Sequence, residues 1–357
     1  MATDLLVKRG ALRERRFAAT PAPEVGPGQA LLKVDSFALT ANTVTYAAFG
    51  DAMRYWDFFP APEAERAAWG RVPCWGFAEV VASNAEGVPV GQRYYGYYPI
   101  GTHLLVEPKP RGQGFVDLAA HRQALPGVYN AYERVNRADA ESEAMAMLFR
   151  PLFTTSFVLD DFFADQNFFG AKRVILSSAS SKTALGMAWL MRRRGTVEVT
   201  ALTSRTNAPF VEKTGAYDRI VAYEDVASLD ANEPAAYCDF SGSAGVRAAV
   251  HQHFGDKLMY DCAVGAADWS SGGELPADLP GPAPQFFFAP TQIEKRIAEW
   301  GPQQFGAKLS EATNAFFAAA RPWMRIVRGD GRDAVDKSWI DTVDGRVAPE
   351  DGLILRL

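Results

Sequence analysis

Cysteine is scarce in this chain: Cys74, Cys238 and Cys262 are the only three among 357 residues. Three thiols build no disulfide framework and cannot supply a four-cysteine structural zinc loop, so a cytoplasmic setting is expected. Histidine is hardly commoner, with four residues. His251 and His253 stand two apart in a predicted helix, where they face different sides and make a poor metal pair. They read as surface or capping residues, and no metal is expected. Positive charge is not in excess either. Lys and Arg number 37 against 42 Asp and Glu, and the net charge of −5 removes any general attraction to nucleic acid or an anionic membrane. No apolar run is long enough to span a bilayer, and the N-terminus lacks the apolar core of a signal peptide. No membrane or nucleic-acid partner is therefore expected.

Glycine is missing from the place where it matters most. Val174, Ile175 and Leu176 form a short apolar run suited to a strand buried on both faces. A turn of small residues follows over 177–181. Residues 183–193 then place Ala184, Met187, Ala188 and Met191 at helical spacing. Strand, small-residue turn and helix open a mononucleotide-binding βαβ unit, in which free N–H groups and the helix dipole favour phosphate. The usual glycine fingerprint is nearly absent.

Two other reaction classes lose their motifs. Around Ser243 the run Ser241-Gly-Ser-Ala-Gly245 has the wrong spacing for a serine-hydrolase elbow. None of the twelve tyrosines has lysine four residues on, which excludes the Tyr-x-x-x-Lys pair of short-chain reductases. Cys74, isolated between Pro73 and Trp75, reads as buried packing.

What is present divides the chain in two. The first hundred residues alternate like strands between Gly/Pro turns at barrel-like spacing. Residues 1–20 read as one or two edge strands, and 40–46 as a short helix or loop. Residues 56–69, aromatic and acidic, look like a mobile or partner-facing loop with a short helix. From residue 139 the pattern is helical to 163, with Pro151 as an interruption. Strands and helices then alternate in the rhythm of a doubly wound parallel sheet. Residues 303–320 read as one long helix. Two short strands near 324–327 and 353–357 return to the first domain. The expected domains are 1–138 with 291–357, and 139–290. With 357 residues, two domains are better than one core.

This order, with several stretches, resembles the medium-chain dehydrogenase/reductase superfamily, in its zinc-free quinone oxidoreductase and enoyl reductase branch. The stretches are Pro27-Gly-Gln-Ala-Leu-Leu-Lys-Val34, Val88-Pro-Val-Gly-Gln-Arg-Tyr-Tyr-Gly96, Gly195-Thr-Val-Glu-Val-Thr200 and Glu212-Lys-Thr-Gly-Ala-Tyr-Asp-Arg-Ile-Val221. The fold implied is α/β, a GroES-like β-barrel catalytic domain with an inserted Rossmann domain. The family's Gly-His-Glu segment is replaced by Trp75-Gly-Phe-Ala78, in keeping with zinc independence. The resemblance also implies a homodimer.

Matched to the family's phosphate turn, Ser181 and Lys182 fall where paired glycines stand, and Ala184 takes the last small position. Ser180, Ser181, Lys182 and Thr183 are thus the candidate pyrophosphate site. A serine hydroxyl can contact phosphate, and Lys182 can add a cation. After the next strand an NAD-selective protein carries Asp or Glu. Here Ser204 and Arg205 offer a hydroxyl and a guanidinium to a 2′-phosphate, which favours NADPH. The alternative is a helix cap followed by a solvated arginine. Ser241, Gly265 and Phe288 follow the later strands, where loops face the ligand crevice. In the first domain, Tyr46 is the candidate proton donor and Asn42 the carbonyl-orienting group, by likeness to the loop of zinc-free relatives. Tyr94, Tyr95, Tyr97 and Tyr98 are rival donors, since strand alternation aims two to each side.

The function expected is an NADPH-dependent, zinc-independent reductase that passes hydride to an activated C=C or C=O of a quinone or enone. With 23 Phe, 12 Tyr and 8 Trp, a small apolar or aromatic substrate is expected. Two other readings stay open: a binding protein or partner subunit that has lost redox chemistry, and a lyase or thioester-processing enzyme using the same crevice.

Overall fold

The computed structural model describes residues 1–265 and 278–357. The chain forms two compact units, one of Met1–Leu148 with Arg325–Leu357 and one of Phe149–Met324. Residues 139–148 therefore cluster with the first unit, and 291–324 with the second, each on the other side of the boundaries expected from sequence.

The first unit opens with β1 (Ala2–Lys8) and β2 (Ala11–Thr20), an antiparallel pair, and β3 (Ala30–Leu39). Helix α1 (Ala41–Ala48) starts at Thr40, whose N–H donates to Thr43 Oγ1 at 3.1 Å. It carries Asn42 and Tyr46. Then come β4 (Trp69–Arg71), β5 (Pro73–Ser83), β6 (Arg93–Pro99) and β7 (His103–Val106). Three further strands, β8 (Pro108–Arg111), β9 (Gly114–Asp117) and β10 (Ala131–Arg134), have no clear alternation in the sequence.

The first part of the segment 56–69 is core, while most of 62–68 is exposed turn. Trp56, Phe58 and Phe59 are buried, and a Cβ on Gly50 or Gly70 would stand 2.2 Å from the Trp56 ring. The two glycines leave room for the indole, so its aromatic character belongs to the core of this unit.

Helix α2 (Ala140–Asp165) runs through Pro151 without a break. Proline removes one N–H and crowds the carbonyl four residues back. Phe149 and Phe153, on either side of it, are both buried, and this packing keeps the helix together.

The second unit continues with β11 (Arg173–Leu176), α3 (Lys182–Arg194), β12 (Glu198–Thr203), α4 (Ala208–Thr214) and β13 (Arg219–Ala222). Next are β14 (Ala235–Asp239), α5 (Ala244–Phe254), β15 (Leu258–Ala263) and β16 (Gln285–Phe286). Its last helices are α6 (Ala289–Trp300), which the sequence pattern did not announce, and α7 (Pro302–Ala320). The six strands lie in the order β13-β12-β11-β14-β15-β16, every pair parallel. Chain order reverses direction between β11 and β14, which makes the carboxyl ends of these two strands the topological switch point. Ile175, Leu202, Val221, Tyr237, Val250 and Leu258 form the apolar core on one side of this sheet.

The chain returns to the first unit as β17 (Arg325–Asp330), α8 (Gly331–Val343) and β18 (Asp351–Arg356). These complete a sheet ordered β17-β18-β3-β5-β6-β10-β9-β8, with β7 paired to β3.

Candidate functional site

At the carboxyl end of β11 the backbone turns through Ser178, which adopts a left-handed φ of 46°. That conformation is usually left to glycine, and a serine held there is costly. Three contacts hold this turn. The Ser178 N–H donates to the Tyr223 hydroxyl at 3.1 Å, Tyr217 donates to the Ala179 carbonyl at 2.9 Å, and Asn207 Nδ2 donates to Ser180 Oγ at 3.1 Å. Ser181 is the N-cap of α3 and accepts from the Ala184 N–H at 3.4 Å. Its hydroxyl is engaged in capping, while Lys182 and Thr183 occupy the first turn, where N–H groups have no intrahelical acceptor. Lys182 also places Nζ 6.0 Å from the centre of the Phe149 ring. Gly186, one turn on, permits close packing of α3 on α2, since a Cβ there would stand 2.6 Å from Ser156 Oγ.

Strands β12 and β13 pair in register with Thr203 opposite Ala222, so the loops that follow emerge side by side. Ser204 accepts from the Asn207 N–H at 3.2 Å, which is a capping contact. Asn207 thus ties the loop of Ser204 to the turn of Ser180. Arg205 is exposed, as the solvated alternative expects, but it is ion-paired. Its Nη2 donates to both oxygens of Asp225 at 2.8 Å, and its Nε lies 3.7 Å from Glu224.

Beyond β14, Ser241 is buried and donates its hydroxyl to Asp239 Oδ1 at 2.7 Å. The same oxygen accepts from Ser177 at 2.5 Å and Tyr237 at 3.0 Å. Arg247 bridges the other Asp239 oxygen, at 2.9 Å, to Asp261 Oδ2, at 3.0 Å. Two buried carboxylates, one guanidinium and His251 therefore form a single network that fixes the loops leaving β11 and β14. Gly265 is exposed two residues past β15, and Phe288, half exposed, stands two residues past β16.

His251 is neither a surface nor a capping residue: it is fully buried. Nδ1 faces the Pro280 carbonyl at 2.7 Å and Nε2 faces Asp261 Oδ2 at 2.8 Å. Both partners only accept, so both hydrogen bonds form together only in the imidazolium. Burial depresses its pKa, but hydrogen bonds to Asp261 and Pro280 outweigh this and leave it above the ordinary 6.5. A raised folded value gives stability that is complete below the unfolded value and is lost as pH rises through the folded one. The melting temperature should accordingly fall as pH is raised above about 6.5, more in the wild type than in His251→Gln. Calorimetric melts of the two proteins across that range check this, and parallel curves would contradict it.

In the first unit, Tyr46 is buried on α1. Trp75 Nε1 donates to its hydroxyl at 3.0 Å, and Asn42 stands close enough to work against the rise in its pKa. Burial first, then the nearby Tyr55 hydroxyl, pushes the Tyr46 pKa well above that of a free phenol. Three more phenols join it. The Tyr129 and Tyr55 hydroxyls are hydrogen-bonded at 3.4 Å, and the ring centres of Tyr129 and Tyr97 lie 6.2 Å and 5.3 Å from that of Tyr46. The Tyr97 hydroxyl is buried without a hydrogen-bond partner among the described residues. Tyr46 and Tyr97 lie inside, whereas Tyr55 and Tyr129 are only half buried. All four phenols are raised, chiefly by burial, and stay protonated donors at neutral pH.

The four tyrosines of β6 divide as alternation requires. Tyr95 and Tyr97 pack on Trp75, while Tyr94 and Tyr98 pack on Phe115 and Tyr132. Tyr55 and Tyr129 carry no signal in the sequence, because they come from short 3₁₀ turns with no periodicity. Cys74 is buried, with its thiol pushed up by burial, in keeping with a packing residue. Among the described residues, no three His, Cys, Asp or Glu side chains gather as a metal cluster, and no helix is long and apolar enough to cross a membrane.

The six-stranded parallel sheet of the second unit and the mixed sheet of the first make up the α/β fold that the family resemblance implies. Solved structures share it along nearly the whole chain. CurA of Vibrio vulnificus in complex with NADPH is 12% identical, with a TM-score of 0.65 over 99% of this chain and 98% of that one. A putative NADPH:quinone reductase of Mesorhizobium loti is 12% identical, with a TM-score of 0.61 over 100% and 98%. The yhdH oxidoreductase of Salmonella enterica in complex with NADP is 14% identical, with a TM-score of 0.57 over 99% and 99%. No curated protein matches the sequence. The chain belongs to the family described as protein of unknown function DUF2855, whose model matches residues 37–348.

Proposed function

We propose that this protein is an NADPH-dependent reductase that acts on an activated C=C or C=O, as in an enone or quinone. The observation that carries the reading is the parallel sheet whose switch point bears the Ser178–Thr183 turn at the start of α3. The residues fit a dinucleotide. Ser178 takes the left-handed conformation that a pyrophosphate turn needs, and the first N–H groups of α3 suit a phosphate. Ser180, Ser181, Lys182 and Thr183 line that turn, with Ser204 and Arg205 beside it. Ser241, Gly265 and Phe288 extend the site along the same edge of the sheet. NADPH-bound and NADP-bound neighbours with this fold support the choice of cofactor.

When bound, the dihydronicotinamide supplies hydride. The residues of this chain manage the proton. The Tyr46 hydroxyl, kept protonated by burial and fixed by Trp75, donates to the enolate or alkoxide oxygen or the adjacent carbon. Asn42 orients the substrate carbonyl. Tyr55 and Tyr129, half exposed, hydrogen-bonded to each other and ring-packed against Tyr46, give a route for replacing the proton.

One observation favours a second reading, a binding protein without redox chemistry: the turn after β11 lacks the usual glycines and holds Ser178 in the left-handed conformation instead. Titration calorimetry with NADPH and NADH separates the readings from a non-dinucleotide protein. Saturable NADPH binding in the micromolar range (about −8 kcal/mol), weakened by Lys182→Ala, is the expected result. Absence of both heat and thermal shift with either nucleotide would sink the reductase. Stoichiometric binding with no turnover of any enone or quinone would leave the binding protein.

A further inference from the structure

Arg205 supplies the reason to expect NADPH, yet its guanidinium is already occupied. Asp225 takes Nη2 with both carboxylate oxygens at 2.8 Å, and Glu224 stands 3.7 Å from Nε. The pairing follows from topology. Parallel register sets Thr203 opposite Ala222, and Arg205 and Asp225 follow two and three residues later. Both also line one open cleft of about 740 Å³ beside α4 and β13. One cation against two anions leaves this corner with a formal charge of −1. A 2′-phosphate brought to Arg205 thus meets a competitor for its donors and two like charges nearby.

We propose that Asp225 sets the cofactor preference of this protein by holding Arg205, so that NADPH is favoured over NADH by less than Arg205 alone would give. This rests on the dinucleotide reading above. Asp225 acts here as a positioning residue. It touches the guanidinium, and the guanidinium meets the phosphate. The side chains of Arg205 and Asp225 are 66% and 45% exposed, so the pair itself contributes little to stability and yields to a stronger ligand. An Arg–phosphate pair is bidentate and charge-assisted, and it forms at the expense of the Asp225 contact. A ribose that carries only hydroxyl groups places no such demand on Arg205.

The test is calorimetric titration of NADPH and NADH into wild type, Asp225→Asn, Arg205→Ala and the double variant. Asparagine removes the charge at nearly constant size. Asp225→Asn should tighten NADPH about tenfold, or ~1.4 kcal/mol, and leave NADH within about twofold. That gain should shrink in the Arg205→Ala background, where only like-charge repulsion is relieved, a non-additivity that a purely structural effect of Asp225 would not produce. If Arg205→Ala weakens NADPH while Asp225→Asn changes nothing, the inference is wrong and the dinucleotide site stands. Weaker NADH binding by Asp225→Asn would mean that the carboxylate meets the ribose diol directly, which also overturns it. If no variant binds either nucleotide, the dinucleotide reading falls and takes this inference with it.

Discussion

Tyr46→Phe is expected to lower turnover of an enone or quinone roughly 100-fold while leaving NADPH affinity unchanged. The substitution removes one oxygen atom from a fully packed position. With that oxygen go the proton of the proposed donor and the acceptor of the Trp75 N–H. The indole N–H is left unpaired, which costs about 1–3 kcal/mol of stability. A melting curve therefore accompanies the kinetics, and turnover is compared well below the melting temperature. Tyr129→Phe removes the next hydroxyl outward, the hydrogen-bond partner of Tyr55 packed against the Tyr46 ring. Its effect should be smaller, and largest where reprotonation limits the cycle. Turnover of Tyr46→Phe within about twofold of wild type would assign the proton to another group. Tyr97, whose buried hydroxyl has no partner among the described residues, would be the next one to test.

The second large effect is on stability and needs no assumption about activity. Arg247→Met should destabilise the second unit by about 3–5 kcal/mol, because it strands two buried carboxylates. Asp239 and Asp261 are 1% and 0% exposed on their side chains, and Arg247 contacts both, within 3.0 Å. Ser177, Tyr237 and Ser241 continue to donate to Asp239 in the variant, but Asp261 keeps only His251. Methionine restores the aliphatic volume, so the loss reads the charge rather than a cavity. Urea unfolding of wild type and variant measures it. A change below about 1 kcal/mol would mean that the carboxylates are protonated or hydrated instead of paired. The variant should also weaken NADPH binding, since the same network fixes the loops after β11 and β14.

Much of the second unit could be read directly from the residues. Buried strands such as β11 are continuous apolar runs, and helices such as α3 repeat their apolar residues every three or four positions. That local signal is enough to announce a doubly wound sheet. It marked the turn proposed for phosphate too, because strand, small residues and helix are consecutive in sequence. Pro151 misled the same reasoning, since tertiary burial of Phe149 and Phe153 outweighs a local penalty that sequence displays on its own.

Side-chain partnerships between distant segments follow another logic. His251 meets Asp261 only because α5 packs beside β15, and Arg205 meets Asp225 only because β12 and β13 are parallel neighbours. The phenol cluster joins Tyr46 on a helix, Tyr97 on a strand, and Tyr55 and Tyr129 on separate turns. The sequence by itself determined most helices and buried strands of the second unit, α6 excepted, and which chemistries lack their residues. Only the tertiary structure decided which polar groups are paired with each other. Periodicity is a property of neighbours along the chain, whereas a buried charge finds its counter-ion through space.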